Sequence, residues 1–427
     1  MTETQSQAAS KLTRWANVGE RGAAVAFVGR EAEIGVAIDQ LATWHPGTSP
    51  GRTVVAQGAP GAGKTALLHE IGRRLSRRLP QATAIYRATP WRRHSVGNVL
   101  LSLAEQMMGA SRDAFRTTAG TTTSIGAKAI ALARHDRSQS RAPPSLACWD
   151  DLETLFAHQS QQAKPTLLMV DEIQRIGDDA ETADLLFQLH DQTTFPVVLV
   201  CGGLSTSAAR LREVGISRLV DANVLRIDAL EPEQAERCLE QSLGMMADDV
   251  GISGHADHWA RQLAPETGGW PQHVTSHIRA AAAALRASGR FAFDGGNLDS
   301  ARRRAQADMR HYYEQRLETS RTDAAVVFAV HEAARQRETY ADDAADVVGI
   351  VAATLSGQRR SSHEGRFPDG MRCVEKMLHA GVIAYAGSTS TSPICVPIPS
   401  MAAHIARALS AEQRTDILCT LGLSTDQ

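Results

Sequence analysis

The stretch RTVVAQGAPGAGKTAL, residues 52–67, decides the fold of this chain. TVVAQ is a short apolar run typical of a strand, and KTALLHEIGRRLSRRL, which begins at the end of the stretch, has the apolar spacing of a helix. Between them, GAPGAGKT fills every fixed position of the pattern G-x-x-x-x-G-K-[ST]. Because a strand before the loop and a helix after it are the required surroundings, the sequence predicts a phosphate-binding loop and not merely a flexible turn.

The loop supplies the predicted contacts with a nucleotide. Lys64 is expected to reach the β- and γ-phosphates, and the hydroxyl group of Thr65 is expected to bind Mg²⁺. The other predicted contacts come from the loop and the first turn of the helix: Gly58, Ala59, Pro60, Gly61, Ala62, Gly63 and Ala66. The predicted cofactors are therefore ATP and Mg²⁺.

A second motif, PTLLMVDE at residues 165–172, ends in two acidic residues. An apolar strand that ends in Asp171 and Glu172 offers one carboxylate to Mg²⁺ and a second to the attacking water. Alone, an Asp-Glu pair after an apolar run is also typical of a solvated turn. Together with the phosphate loop, the pair predicts ATP hydrolysis, with Asp171 as a metal ligand and Glu172 as the catalytic carboxylate.

Apolar strand-like runs alternate with helical segments over the first half of the chain, which predicts a parallel sheet with helices on both faces. The fold class is α/β: a P-loop NTPase parallel sheet with a helical lid, followed by an α+β winged-helix domain. The predicted parts are a flexible segment 1–24, a nucleotide-binding domain 25–230, a helical lid and linker helix 231–319, and a winged-helix domain 320–427. Residues 110–163, which are rich in Thr and Ser and then basic, are an insertion of unknown role.

Composition excludes several classes of protein. The 45 Lys and Arg residues nearly balance 47 Asp and Glu residues, so any binding of a polyanion must be local. Six scattered cysteines form neither a zinc ribbon nor a disulfide ladder. No stretch approaches the roughly 18 apolar residues that span a bilayer. We therefore expect a cytoplasmic protein without a membrane partner, and we find no second set of enzyme motifs.

These motifs, in this order, resemble the AAA+ ATPases, in particular their origin-recognition or initiator-like branch. The resemblance is carried by FVGREAEI, GAPGAGKT, LLMVDE, VVLVCGG, ISRLV and GGWP. It implies that Gly29 and Arg30 lie near the adenine, and that Ser205 or Thr206 is a sensor of the γ-phosphate. It also implies that Arg218 is an arginine finger acting across a subunit interface. The alternatives are hydroxyl groups that cap the next helix and a solvated surface arginine.

The lid departs from the family pattern. Where the family often has an arginine after a Gly-x-Pro turn, this chain has Gln272 and His273, and His273 is also interpreted as an ordinary buried histidine. The turn with Pro271, a predicted cofactor contact, also resembles the signal-transduction ATPases called STAND. That second resemblance implies a different function: an ADP-held sensor that is released by a trigger protein and does not bind DNA directly, with defence against phage as one such role.

The predicted partners depend on the resemblance and on the charge of the C-terminal helices. The resemblance implies a homo-oligomer that acts on DNA or on a DNA-bound protein, with effector chemistry on a separate protein. The presumed recognition helix, residues 369–380, carries Arg372, Lys376 and His379, which is little positive charge for a DNA reader. The winged helix is therefore expected either to contact DNA or to pack on a neighbouring domain.

Overall fold

The computed structural model describes residues 3–18, 25–42, 53–78, 84–88, 166–175, 190, 197–213, 223–355, 368–387, 389 and 391–424. The chain forms two compact units. We call Arg30–Gln57 with Lys64–Arg226 the sheet unit. We call Met1–Gly29, Gly58–Gly63 and Ile227–Gln427 the lid unit. The spacing of SVGNVLLSLAEQMMG predicts a helix at 95–109, and both this segment and the insertion at 110–163 lie outside the described residues.

The sheet unit is built on five strands in the order β2-β3-β4-β1-β5. The strands are β1 Thr53–Gln57, β2 Ala84–Ala88, β3 Thr166–Val170, β4 Val197–Gly203 and β5 Val224–Arg226. Every neighbouring pair is parallel. Buried valines and leucines fill β1, β3 and β4, because a parallel sheet is covered on both faces. The predicted parallel sheet is confirmed.

Helices α2 Glu31–Ala42, α3 Lys64–Arg78 and α4 Ser207–Glu213 belong to the same unit, with a short 3₁₀ helix at Ile173–Arg175. Helix α3 buries its apolar stripe of Leu67, Leu68, Ile71 and Leu75. Its arginines are not all solvated: Arg74 pairs with Glu70 and also with Glu31 of α2. The charged face of α3 therefore helps to fasten α2 to it.

The lid unit begins with a helix that the sequence did not predict. Residues 1–24 were expected to be flexible, but Glu3–Ala16 form helix α1, and Leu12 and Trp15 are buried. The polar composition of MTETQSQAASKLTRW hides an apolar stripe of Ala8, Leu12 and Trp15, whose spacing of four and then three residues places them on one helical face. For residues 3–16, the expectation of a flexible segment is corrected accordingly.

Four more helices complete the core of the lid unit: α5 Pro232–Val250, α6 Ala256–Thr267, α7 Pro271–Ser288 and α8 Gly295–Ser320. The two-residue strands β6 Ser253–Gly254 and β7 Ala292–Phe293 pair in parallel between them. Trp259 and Leu239 lie in one apolar cluster with residues of α1, α5, α6 and α7. The helical periodicity of the sequence predicts lid helices at 232–243, 254–264, 271–287 and 297–319, and the observed helices begin and end within a few residues of these bounds, except that α5 is longer.

The C-terminal part of the lid unit continues with α9 Ala324–Gln336, α10 Ala341–Leu355 and α11 Pro368–Ala380. Strands β8 Ala384–Tyr385 and β9 Ile394–Cys395 then pair antiparallel. Helices α12 Pro399–Ala408 and α13 Ala411–Leu421 follow; α13 was not predicted from the sequence. Helix α13 has the capping box formed by Ser410 and Gln413, a sequence pattern that marks a helix start. Across the part of the chain described, no helix is both long and apolar enough to cross a membrane.

Candidate functional site

Residues 58–63 of the loop between β1 and α3 belong to the lid unit. Gly61 and Gly63 have φ angles of 84° and 91°, a region that favours glycine. The backbone N–H of Gln272 donates to the carbonyl of Gly61 at 3.1 Å. The hydroxyl of Tyr312 donates to the carbonyl of Pro60 at 2.5 Å. Two consecutive carbonyl groups of the loop are therefore held from its outer side.

The predicted contact Pro271 also lies at this loop. A Cβ atom placed on Gly63 would be 3.5 Å from the Cβ of Pro271, which is ordinary van der Waals contact. The loop closes its own turn, since Ala62 N–H donates to the carbonyl of Ala59 at 3.2 Å. The structure thus brings the lid's Gly-Trp-Pro turn against the predicted phosphate loop.

Within the sheet unit, α3 begins with Lys64 and Thr65, directly after the loop. The side chain of Lys64 is buried, and Thr65 is exposed. The hydroxyl Oγ1 of Thr65 donates to Oδ2 of Asp171 at 2.5 Å. Asp171 follows the last residue of β3, and the other oxygen of its carboxylate, Oδ1, accepts the N–H of Glu172 at 2.9 Å. Residues from two sequence motifs 106 positions apart are therefore in direct contact.

The oxygens of Thr65 and Asp171 suit a magnesium ion. A hydroxyl and a carboxylate are hard oxygen donors, and Mg²⁺ usually binds to one or two protein ligands while the rest of its shell is water and phosphate oxygen. Thr65 is exposed and Asp171 is half-buried, so such a shell has room. The two residues predicted as metal ligands are the two that the fold places together.

Glu172 has an unusual backbone. Its φ angle is 55°, in the left-handed region, which non-glycine residues rarely adopt. Oε2 of its carboxylate accepts a hydrogen bond from Nε2 of Gln174 at 2.7 Å. The other end of the same amide, Oε1 of Gln174, accepts the N–H of Leu204 at 3.2 Å. Gln174 thus bridges the predicted catalytic carboxylate and the end of β4.

Ser205, the predicted sensor, follows Leu204 and is buried, whereas Thr206 is half-buried. The carbonyl of Thr206 accepts the N–H of Arg210 in α4. Gln174 is the residue that sequence reasoning missed at this end of the sheet. A glutamine two positions after an Asp-Glu pair belongs to no recognised pattern, and only the turn that follows β3 brings it back to Glu172.

The remaining predicted residues are placed as follows. Gly29 and Arg30 both have positive φ angles, and the guanidinium of Arg30 pairs with Glu33 at 3.2 Å. Arg218 lies outside the described residues. His273, one of the two residues at the expected lid arginine, is completely buried, and its Nδ1 donates to the carbonyl of Thr267 at 3.1 Å. Burial lowers the pKa of His273 to about 4, which favours the neutral ring.

The chain is similar to known proteins in sequence and in fold. Residues 26–200 match the family described as AAA ATPase domain. Among curated proteins, none matches the chain. The solved structure of the ORC2 protein of Aeropyrum pernix in its ADP form shares 14% identity, with a TM-score of 0.58 over 94% of this chain and 98% of that one.

Two further solved structures are similar at lower scores. The ORC1 protein of Aeropyrum pernix in complex with DNA has 16% identity and a TM-score of 0.44, over 95% of this chain and 98% of that one. Cdc6p of Pyrobaculum aerophilum has 12% identity and a TM-score of 0.42, over 94% and 97%. Residues 26–200 therefore match an AAA ATPase domain, and the chain has the fold of the ORC2 structure.

Proposed function

We propose that this protein is an ATP-driven molecular switch that oligomerises on ATP and acts on DNA or on a DNA-bound protein. One observation carries the nucleotide part of the proposal: Thr65 contacts Asp171 at the carboxyl ends of strands β1 and β3. Ligands of open parallel sheets bind at that edge. The family match to an ATPase domain supports the same assignment.

In this proposal each residue has a separate task. Lys64 binds the β- and γ-phosphates, and Thr65 and Asp171 hold Mg²⁺, which would neutralise phosphate charge. Glu172 accepts a proton from the attacking water, and Gln174 orients the carboxylate that does so. Ser205 senses the γ-phosphate from the end of β4. Gly29 and Arg30 remain the proposed contacts on the adenine side.

Nucleotide binding and hydrolysis are tested by two substitutions. Lys64→Ala is expected to lose binding of ATP, because the buried ammonium group that meets the phosphates is removed. Glu172→Gln is expected to bind ATP with little change and to hydrolyse it slowly, which would trap the assembled form. Binding is measured by titration and hydrolysis by phosphate release. A Glu172→Gln variant that turns over at the parent rate contradicts the role given to Glu172.

The oligomeric part of the proposal rests on the resemblance of ISRLV to the family segment that carries an arginine finger. Arg218 would act on the nucleotide of a neighbouring subunit, so loss of the γ-phosphate would loosen that junction. Arg218→Ala protein mixed with Lys64→Ala protein is expected to regain hydrolysis, because each variant supplies the part that the other lacks. Absence of rescue contradicts action across an interface.

A second candidate function, the ADP-held sensor, is favoured by one observation in the lid unit. The turn at Gly381, after α11, lies directly against Pro60 of the phosphate loop. Such a contact is what a C-terminal module folded back on the nucleotide loop requires. Duplex DNA separates the two functions: stimulation of the ATPase rate supports the first, whereas tightly retained ADP and indifference to DNA support the second.

A further inference from the structure

Two backbone carbonyl groups of the phosphate loop accept hydrogen bonds from other residues of the lid unit. No sequence motif indicates these contacts. Tyr312, in the C-terminal half of α8, donates its hydroxyl to the carbonyl of Pro60 at 2.5 Å. The N–H of Gln272, at the start of α7, donates to the next carbonyl, that of Gly61, at 3.1 Å. The chain has no arginine at the expected lid position. Helices α7 and α8 instead contact the loop through its backbone carbonyl groups.

The hydrogen bond to Pro60 acts on an N–H group that would face a phosphate, that of Gly61. A trans peptide is planar, and its C=O and N–H groups point in opposite directions. Holding the carbonyl of Pro60 toward Tyr312 therefore turns the N–H of Gly61 to the opposite side of the loop. Phosphate-binding loops work by aiming backbone N–H groups at phosphate oxygens, so the hydroxyl of Tyr312 helps to set the orientation that binding needs.

Tyr312 is itself fixed in place. The guanidinium carbon of Arg316 lies 5.1 Å from the centroid of the Tyr312 ring, a cation–π arrangement. The ring of His273 meets the same ring edge to face, with centroids 5.9 Å apart. Burial raises the pKa of the Tyr312 hydroxyl, which keeps it protonated and able to donate. The phenol is therefore a rigid donor and not a mobile surface group.

The same contact reaches the C-terminal helices. Gly381, directly after α11, has a φ angle of 68°, and a Cβ atom placed on it would lie 2.1 Å from Cδ of Pro60. Only glycine permits this approach. Nη1 of Arg316 donates to the carbonyl of Ala380 at 3.5 Å, so the residue that packs on Tyr312 also binds the turn. The apex of the phosphate loop, Tyr312 and the Gly381 turn form one contiguous set of contacts.

We propose that Tyr312 is a positioning residue for nucleotide binding, and that through it the occupancy of the phosphate loop is transmitted to the Gly381 turn. This inference rests on the proposed function, since it requires that the loop bind ATP and ADP. Tyr312 touches no nucleotide in this scheme; it acts through the carbonyl of Pro60. Thermodynamic linkage makes the coupling reciprocal, so a change at the turn must also change nucleotide affinity.

The chain provides a matched pair of variants for the first test. Tyr312→Phe removes the hydroxyl that binds Pro60, whereas Tyr313→Phe removes a neighbouring hydroxyl that donates to Ser400 at 2.8 Å and not to the loop. The affinity for a fluorescent ADP analogue is measured for both full-length variants. Tyr312→Phe is expected to raise Kd about fivefold, the loss typical of one hydrogen bond. Tyr313→Phe is expected to keep the parent Kd.

A second pair tests the turn. Gly381→Ala places a Cβ atom against Pro60, whereas Gly422→Ala imposes the same left-handed strain, at a φ angle of 63°, where nothing lies within 4 Å. Only Gly381→Ala is expected to weaken binding of the ADP analogue. In the parent protein, ADP is also expected to alter hydrogen exchange of the Gly381 and Val382 amides, and Tyr312→Phe is expected to reduce that change.

The outcomes separate this inference from the proposed function. If the parent protein binds neither ADP nor ATP, the proposed function fails, and this inference fails with it. If the parent protein binds but the two tyrosine variants have equal affinities, Tyr312 is not a positioning residue and only this inference is overturned. A lower melting temperature in Tyr312→Phe with unchanged Kd overturns it as well, since that result assigns Tyr312 a purely structural role.

Discussion

Glu172 is held in a backbone conformation that a free glutamate would avoid. A left-handed non-glycine residue costs about 1 kcal/mol or more and persists only where its surroundings fix it. Two contacts do so: its N–H donates to Asp171, and its carboxylate accepts from Gln174. Such strain is concentrated at functional sites, and here it occurs at the residue proposed to activate water.

Gln174→Ala tests whether the bridge serves catalysis. Without the amide, the carboxylate of Glu172 loses the hydrogen bond from Gln174, while the phosphate contacts of Lys64 and Thr65 remain. We expect kcat to fall roughly tenfold with little change in KM, as for other residues that orient a reacting group. Gln306→Ala is the control, because Gln306 also donates to a glutamate, Glu266, but on the lid unit. A raised KM with unchanged kcat would assign Gln174 to binding instead.

His273 predicts a pH dependence of stability. Burial lowers its pKa to about 4, whereas a histidine in an unfolded chain titrates near 6.5. Between these values the unfolded state binds a proton that the folded state does not, so stability falls as the pH falls, by up to about 1.4 kcal/mol per pH unit. Below about pH 4 this loss is complete.

The check is the free energy of unfolding measured from pH 7 to pH 4 in the parent and in His273→Asn. The variant is expected to show a shallower slope in this window, since one titrating group is gone. His258→Asn removes a histidine from an exposed position and serves as the control. Equal slopes in the parent and His273→Asn would show that His273 already titrates normally when folded.

At the scale of elements, α2 and α3 are joined by an ion pair. Arg74 of α3 hydrogen-bonds to Glu31 of α2, and Glu70 accepts from both Arg73 and Arg74. The hydrogen bond with Arg74 lowers the pKa of Glu31. The pKa of Glu70 is also lowered, and its hydrogen bond with Arg73 is the largest cause. Glu70 is nearly buried, so its charge depends on these partners.

Arg74→Ala is therefore expected to lower the free energy of unfolding by about 1–2 kcal/mol at neutral pH, because buried Glu70 keeps only one arginine. Arg77→Ala, at an exposed position one turn away, is expected to change it little. A carboxylate whose pKa is lowered on folding stabilises the folded state at pH values above its ordinary pKa. That contribution is lost as the pH falls. The difference between Arg74→Ala and the parent should hence shrink below about pH 4.3, as chemical denaturation at several pH values can show.

Elements with strong local patterns could be predicted from the sequence, and contacts between distant elements could not. β1, β3 and β4 are uninterrupted apolar runs, and the order of strands and helices identified the parallel sheet. Helix α1 was not predicted because its apolar stripe is narrow and is buried only by packing against α5 and α7. Tyr312 was missed for a related reason: an aromatic residue in a long helix gives no sign that its hydroxyl reaches a loop 252 residues away.

At the scale of the whole molecule, the lid unit combines segments that are far apart in the sequence. Helix α1 packs among helices that begin more than two hundred residues later. Asp249 of α5 accepts hydrogen bonds from three side chains of α1. Nη2 of Arg14 and Nε1 of Trp15 donate to the carboxylate of Asp249, and Nζ of Lys11 donates to its carbonyl. The N-terminal helix is thus an integral part of the unit that carries the lid.

Leu12→Ala measures how much α1 contributes. The side chain is fully buried in the lid cluster, so its truncation leaves a cavity and is expected to cost about 2–4 kcal/mol. Ser10→Ala, on the exposed face of the same helix, is expected to change stability by less than about 0.5 kcal/mol. Chemical denaturation followed by tryptophan fluorescence reports both, since Trp259 and Trp270 are buried in this unit. Equal stabilities of the two variants would mean that α1 only rests on the surface; a large difference would show that the lid fold needs a helix whose sequence is mostly polar.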